Sequence, residues 1–176
     1  MKQNVIRILG IDPGSTVTGY AVIDFNGRKT AYLDSGCIRL GKEAMPIRLM
    51  MIHQGIQELI ATYRPQEFAI EQIFMHANPN SALKLGQARG VALAVAALHG
   101  LPIGEYAPKA IKNAVVGTGG ASKEQVQHMV KVILALEGNI QSDAGDALAV
   151  ALTHAHHLQT YISQRQAGRQ ELWDKF

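Results

Sequence analysis

Residues 5–27 read VIRILGIDPGSTVTGYAVIDFNG, and the order of their patterns decides the fold. Val5 to Ile11 is a near-continuous run of β-branched and leucine residues, the pattern of a strand buried on both faces. Asp12 stands at its C-terminal end. Pro13-Gly14-Ser15 is turn chemistry, and Val17 to Phe25 reads as a second strand. Asn26-Gly27 is a strong hairpin signal that leads into a third strand, Thr30 to Leu40. The chain opens with an antiparallel meander.

Downstream the period changes from two to 3.6. Pro46 starts a helix with Leu49, Ile52, Ile56, Leu59, Ile60 and Tyr63 on one face, and Pro65 ends it. Phe68-Ala69-Ile70 is a short buried strand with Glu71 at its end. An Ala-rich helix runs from Asn80 to His99 and stops at Gly100, and a short strand spans Ile103 to Tyr106. Three helices follow, at about Pro108 to Val116, Ser122 to Leu136 and Asp143 to Leu158. Ser122 and Gln125 have the spacing of a capping box. The Gly117-Thr118-Gly119-Gly120 loop is expected to be mobile. Residues 1–160 are expected to form one domain, and 161–176 a flexible C-terminal tail. This order is that of a ribonuclease-H-like α/β fold: a five-stranded mixed sheet, antiparallel meander then parallel strands, flanked by helices. Right-handed crossovers set the first and fourth strands side by side, making Asp12 and Glu71 neighbours.

The 176 residues suit one domain, and 47% hydrophobic with 18% charged residues excludes a disordered tail, a fibre or a coiled coil. The net charge of +3 is unevenly placed. Residues 80–131 hold six basic side chains (Lys84, Arg89, Lys109, Lys112, Lys123, Lys131) against two acidic ones, enough for a face that meets a polyanion or for an ordinary solvated face. Cys37 is the only cysteine, which rules out an intrachain disulfide and suits a reducing compartment; the cytoplasm is the expected location. Val91 to Leu98, the most apolar stretch, is far too short to span a membrane, and no membrane association is expected.

Asp12, Glu71, Asp143 and Asp146 are the candidate catalytic constellation. Two carboxylates at adjacent strand ends, joined by two at i and i+3 on one helix, can gather at one sheet edge if cations offset their repulsion. Oxygen-only ligands select Mg²⁺, with Mn²⁺ as a substitute, over zinc. Two such ions about 4 Å apart serve phosphodiester hydrolysis. Each residue taken singly also has a structural reading: Asp143 as a helix cap, Asp146 as a helix-dipole partner, Asp12 in a turn, Glu71 facing water. Among the histidines only His154 shares the helix face of Asp143 and Asp146.

Five blocks in order carry a resemblance: Leu9-Gly10-Ile11-Asp12-Pro13-Gly14-Ser15 with Thr18-Gly19-Tyr20; Ala69-Ile70-Glu71-Gln72 with Phe74; Ser81 to Gly90; Ser122 to Met129; and Asp143 to Ala149. Together they resemble the signature of the RuvC family of Holliday junction resolvases. The resemblance implies an endodeoxyribonuclease that resolves four-way DNA junctions by paired symmetric incisions in recombination and repair. It places the family's catalytic, Mg²⁺-binding acids on Asp12, Glu71, Asp143 and Asp146. It places DNA contacts on Phe74, Lys112 and Lys123, with Phe74 stacking on a junction base; the other reading of Phe74 is a core plug under its loop. It also implies a homodimer, for which the Ala-rich helix with Gly86 and Gly90 is a candidate interface, and a branch-migration motor of the RuvA and RuvB type as partner.

Three further readings compete. A ribonuclease-H-like nuclease for another structured nucleic acid, such as RNA, uses the same four acids. An ATPase reading of Asp12-Pro13-Gly14-Ser15 needs a second lobe that 176 residues leave no room for. A non-catalytic junction binder is disfavoured by four carboxylates beside a phosphate backbone.

Overall fold

The computed structural model describes residues 5–73 and 79–173, with side chains described as far as Ile162. The meander consists of β1 (Ile6–Asp12), β2 (Val17–Phe25) and β3 (Thr30–Arg39). Then come α1 (Met45–Tyr63), β4 (Glu67–Glu71), α2 (Pro79–Leu98), β5 (Ile103–Tyr106), α3 (Pro108–Val116), α4 (Lys123–Leu134) and α5 (Ser142–Trp173). The sheet order is β3-β2-β1-β4-β5, and β4 runs parallel to both β1 and β5. This is the expected five-stranded mixed sheet.

Local chemistry accounts for the joints. Asn26 Oδ1 accepts from the backbone N–H of Arg28 and Lys29, at 3.1 and 2.8 Å, and Gly27 takes φ +89°, so the chain reverses between β2 and β3. Arg64 closes α1 in the left-handed region, donating its N–H to the Ile60 carbonyl, and Pro65 forbids another turn. Ser122 and Gln125 form the full capping box of α4. The Gly117–Gly120 segment is a turn in which Gly117 caps α3 and the Ala121 N–H donates to the Thr118 carbonyl.

Alternate residues of each strand point to opposite faces and so build two apolar layers. Ile8, Ala21, Ile23, Phe25 and Ala69 pack against α3, α4 and α5. Leu9, Ile11, Val22, Phe68 and Ile70 pack against α1 and α2. The same alternation puts Asp12, in phase with Ile8, and Glu71, in phase with Ala69, on the face that α5 covers.

Two features depart from expectation. A bulge between Val22 and Ile23 skips Leu33 in the β2–β3 register and leaves that leucine exposed. The last helix continues to Trp173 instead of ending near Leu158. Leu158 and Ile162 extend its apolar face against the core, and Gln, Arg, Ala, Glu and Leu beyond them are good helix formers. No helix among the described residues is long and apolar enough to cross a membrane.

Candidate active site

The register brings the strand ends together. Ile11 pairs with Ile70, so Asp12 and Glu71 are the next residues out on adjacent parallel strands. The N-terminal turns of α5 lie over this edge because two glycines let it. A Cβ on Gly19, the β2 partner of Asp12, would stand 2.0 Å from the Asp143 carbonyl oxygen. One on Gly10 would meet the Ala147 oxygen at 2.6 Å and the Ala151 Cβ at 2.8 Å. The close approach of α5 to β1 and β2 therefore requires glycine at both positions. It delivers Asp143 and Asp146 beside Asp12 and Glu71.

The loop after Asp12 and the end of β4 are held from several directions. The Thr18 hydroxyl donates to the Gly14 carbonyl at 3.1 Å and accepts from the Gly14 N–H at 3.3 Å. From α1, Arg48 Nη1 donates to the Ser15 carbonyl at 2.8 Å while its Nε donates to Glu43 O at 2.7 Å. From α2, Arg89 Nε donates to the Glu71 carbonyl at 3.0 Å, and its Nη2 pairs with Glu105 on β5. Arg48 was not singled out by the sequence, and Arg89 only as part of the basic segment and of the Ser81–Gly90 block, with no role of its own, because a side chain that serves another segment's carbonyl leaves no periodic trace.

Burial and acidic neighbours at this edge perturb Asp12 and Glu71. Burial first, then the negative charge of Glu71, Asp146 and Asp143, pushes the Asp12 carboxyl up to about 8, against a smaller opposing pull from Lys123. Burial, then Asp146, pushes Glu71 up to about 6, with Lys123 and Lys112 opposing. Lys123 Nζ lies 2.5 Å from Asp146 Oδ2. Burial disfavours the Lys123 ammonium, but that hydrogen bond and the surrounding carboxylates outweigh it and hold its pKa above the usual value. A cavity of about 270 Å³ joins Glu71 and Asp146 to Lys112 and Lys123, and a second of about 170 Å³ lies over Asp12, Glu71 and Gln72. The edge thus holds excess negative charge, carboxylate oxygens and two lysines, with the Cys37 thiol alongside, its pKa pushed up first by burial and then by Asp143.

Among the described residues no three acidic, histidine or cysteine side chains converge closely enough to cage an ion as they stand. The donor chemistry nevertheless fits a hard divalent cation: carboxylate oxygens, no competing thiolate, and a protonated lysine already attracted to the position of a positive charge. His154 is not part of this set. It is buried, with Nδ1 2.7 Å from the Tyr106 hydroxyl and Nε2 3.3 Å from Glu67 Oε2, and burial pushes it down to about 4. Phe74 lies outside the described residues.

Residues 8–154 match the family model described as "Crossover junction endodeoxyribonuclease RuvC". The protein of that name from Dichelobacter nodosus is 68% identical over 161 residues, 92% of each chain, and that from Marinobacter nauticus is 56% identical over the same share. Thermus thermophilus RuvC, in a structure described as a complex with Holliday junction substrate, is 35% identical with a TM-score of 0.83, covering 88% of this chain and 96% of the other. A yeast mitochondrial Holliday junction resolvase, at 14% identity and a TM-score of 0.63, shares the fold. With its four-acid edge on a ribonuclease-H-like sheet and this likeness along most of its length, the chain belongs to the RuvC family of crossover junction endodeoxyribonucleases, a family of metal-dependent nucleases.

Proposed function

We propose that this chain resolves four-way DNA junctions by paired, symmetric incisions in two strands of like polarity, with Asp12, Glu71, Asp143 and Asp146 holding two Mg²⁺ ions that Mn²⁺ can replace. The observation that carries the reading is the convergence of carboxylates from three separate segments at one sheet edge, where Asp12 and Glu71 are both held above the ordinary carboxylate range. Such ions, when bound, supply activation of a water and charge relief at the phosphate and leaving oxygen. The protein's own part is placement and charge. Asp12 and Glu71 are fixed by the sheet, and Asp143 and Asp146 by the glycine-seated helix. Lys112 and Lys123, which line one cavity with Glu71 and Asp146, meet the DNA backbone. Lys123 now donates to Asp146, and its ammonium would be free for a phosphate oxygen with a cation held there. Phe74, three residues past Glu71, stacks on a junction base, a contact worth about 1–3 kcal/mol in single-strand binders.

Two cuts need two sites, and we assign the homodimer contact to α2. Its exposed residues Leu83, Gln87, Gly90, Ala94 and Ala97 recur at spacings of four and three, the seam of a helix pair. Leu83 and Leu98 are 67% and 80% exposed in the single chain. The branch-migration motor is the proposed partner on the DNA, and the cytoplasm the proposed compartment. The test is a synthetic four-way junction incubated with Mg²⁺. Symmetric cleavage is expected, abolished in Asp12→Asn and Asp146→Asn while junction binding persists; an active pair of variants, or a wild-type chain that cuts no branched DNA, overturns the reading.

A further inference from the structure

We infer that Arg89 is a positioning residue for Glu71: by bridging the Glu71 carbonyl and the Glu105 side chain it sets where the Glu71 carboxylate stands at the reacting edge. This rests on the reading of Glu71 as one of the catalytic carboxylates.

The β1–β4 pairing ends at Ile11 and Ile70, so Glu71 is one residue beyond the support of β1. On its other side it aligns with Tyr106, whose carbonyl accepts the Gln72 N–H at 2.8 Å. The Glu71 carbonyl takes its hydrogen bond from α2 instead, through Arg89 Nε at 3.0 Å. The Nη2 of the same guanidinium pairs with Glu105, next to Tyr106 on β5. A planar guanidinium has its donors at fixed angles, so the bridge fixes α2, the end of β4 and β5 relative to one another.

Charge and packing do not explain the arrangement. Glu105 neutralises the guanidinium locally, and the charges that act on the Glu71 carboxyl are those of Asp146, Lys123 and Lys112. α2 is anchored without Arg89, through Ala88, Ala92, Val95 and Ala96 in the layer it shares with α1. What the arginine adds is the orientation of a peptide whose side chain must meet a cation. An error of about 1 Å in such a group can cost on the order of 100-fold in rate.

The experiment compares wild type, Arg89→Gln, Arg89→Lys, Glu105→Gln and Glu71→Gln. It measures single-turnover cleavage of a four-way junction at saturating enzyme, junction affinity without divalent metal, and Mn²⁺ binding by calorimetry without DNA. For Arg89→Gln we expect unchanged junction affinity, a cleavage rate lowered about 10- to 100-fold, a higher Mg²⁺ concentration for half-maximal rate, and weaker Mn²⁺ binding. Arg89→Lys, with one compact donor group, is expected to recover part of the rate. Glu105→Gln, which keeps an acceptor, is expected to lose less than Arg89→Gln.

Wild-type rate and metal dependence in Arg89→Gln, with Glu71→Gln inactive, overturns the inference and leaves the catalytic reading standing. Loss of junction affinity with an intact rate at saturation makes Arg89 a substrate contact and also overturns it. An active Glu71→Gln overturns the catalytic reading and the inference together. If Arg89→Gln does not fold, Arg89→Lys and Glu105→Gln decide: wild-type rates and metal binding in both overturn the inference, and graded losses in both support it.

Discussion

Asp12 shows how burial and acidic neighbours together can turn a carboxyl against its own charge. Its carboxyl is pushed from an ordinary 3.8 up to about 8, first by burial and then by its three acidic neighbours, so near neutral pH the metal-free fold favours the protonated form. Asp12 in the unfolded chain gives up its proton near pH 4, and in the folded chain near pH 8. The stabilisation associated with the protonated form is therefore complete below pH 4 and is lost as pH rises toward 8. The loss approaches at most about 1.4 kcal/mol per pH unit in that window. Glu71, pushed up to about 6, adds a smaller loss of the same sign. Metal-free wild type should thus lose thermal stability between pH 5 and pH 8 more steeply than Asp12→Asn. At pH 8 the variant should melt at the higher temperature, and Mg²⁺ should raise the melting temperature of wild type more than that of the variant. Thermal denaturation across pH with and without Mg²⁺ checks this; parallel pH profiles for the two proteins would sink it.

At the level of elements, the site depends on how closely α5 lies on the sheet. Gly19 is the tightest point, where a methyl group would collide with the backbone oxygen of Asp143 itself. Backbone cannot rotate away as a side chain can, so Gly19→Ala must push the start of α5 off β2. The expected cost is about 1–3 kcal/mol in chemical denaturation, with a fall in junction cleavage on the order of 100-fold because Asp143 and Asp146 move together. Cleavage at the wild-type rate would show that the helix position does not set the chemistry. This contact also marks what was legible in the sequence. The strands, the adjacency of Asp12 and Glu71 and the capped α4 were readable, because apolar period, capping chemistry and strand-end position are local signals. The Val22–Ile23 bulge was not, since nothing in an alternating strand announces an extra residue. Nor was the continuation of α5, where, among the described side chains, Leu158 and Ile162 pack against the core between polar helix formers. The backbone bonds of Arg48 and Arg89 are tertiary pairings between distant segments, and neither segment encodes them alone.

The whole molecule keeps its two signs of charge close together: Glu71 and Asp146 line the same cavity as Lys112 and Lys123, in a chain whose net charge is only +3. One such edge makes one cut, so the proposed paired incision rests on the second copy. On the exposed face of α2, Gly90 has nothing within 4 Å of where a Cβ would stand. In an isolated helix alanine there would be better by about 1 kcal/mol; against a partner helix the missing side chain permits close approach. Ala94, one turn further along the same exposed face, is the position to test. Ala94→Glu would set two like charges near each other across a twofold contact while leaving the buried face of α2 untouched. Wild type is expected to sediment as a dimer at micromolar concentration, and Ala94→Glu as a monomer with an unchanged melting profile at low concentration. On a supercoiled plasmid bearing a cruciform, wild type should give linear product by cutting twice within one encounter, whereas the variant should accumulate nicked circles. A wild-type chain that sediments as a monomer, or an Ala94→Glu variant that linearises the plasmid as wild type does, would remove α2 as the surface that couples the two cuts.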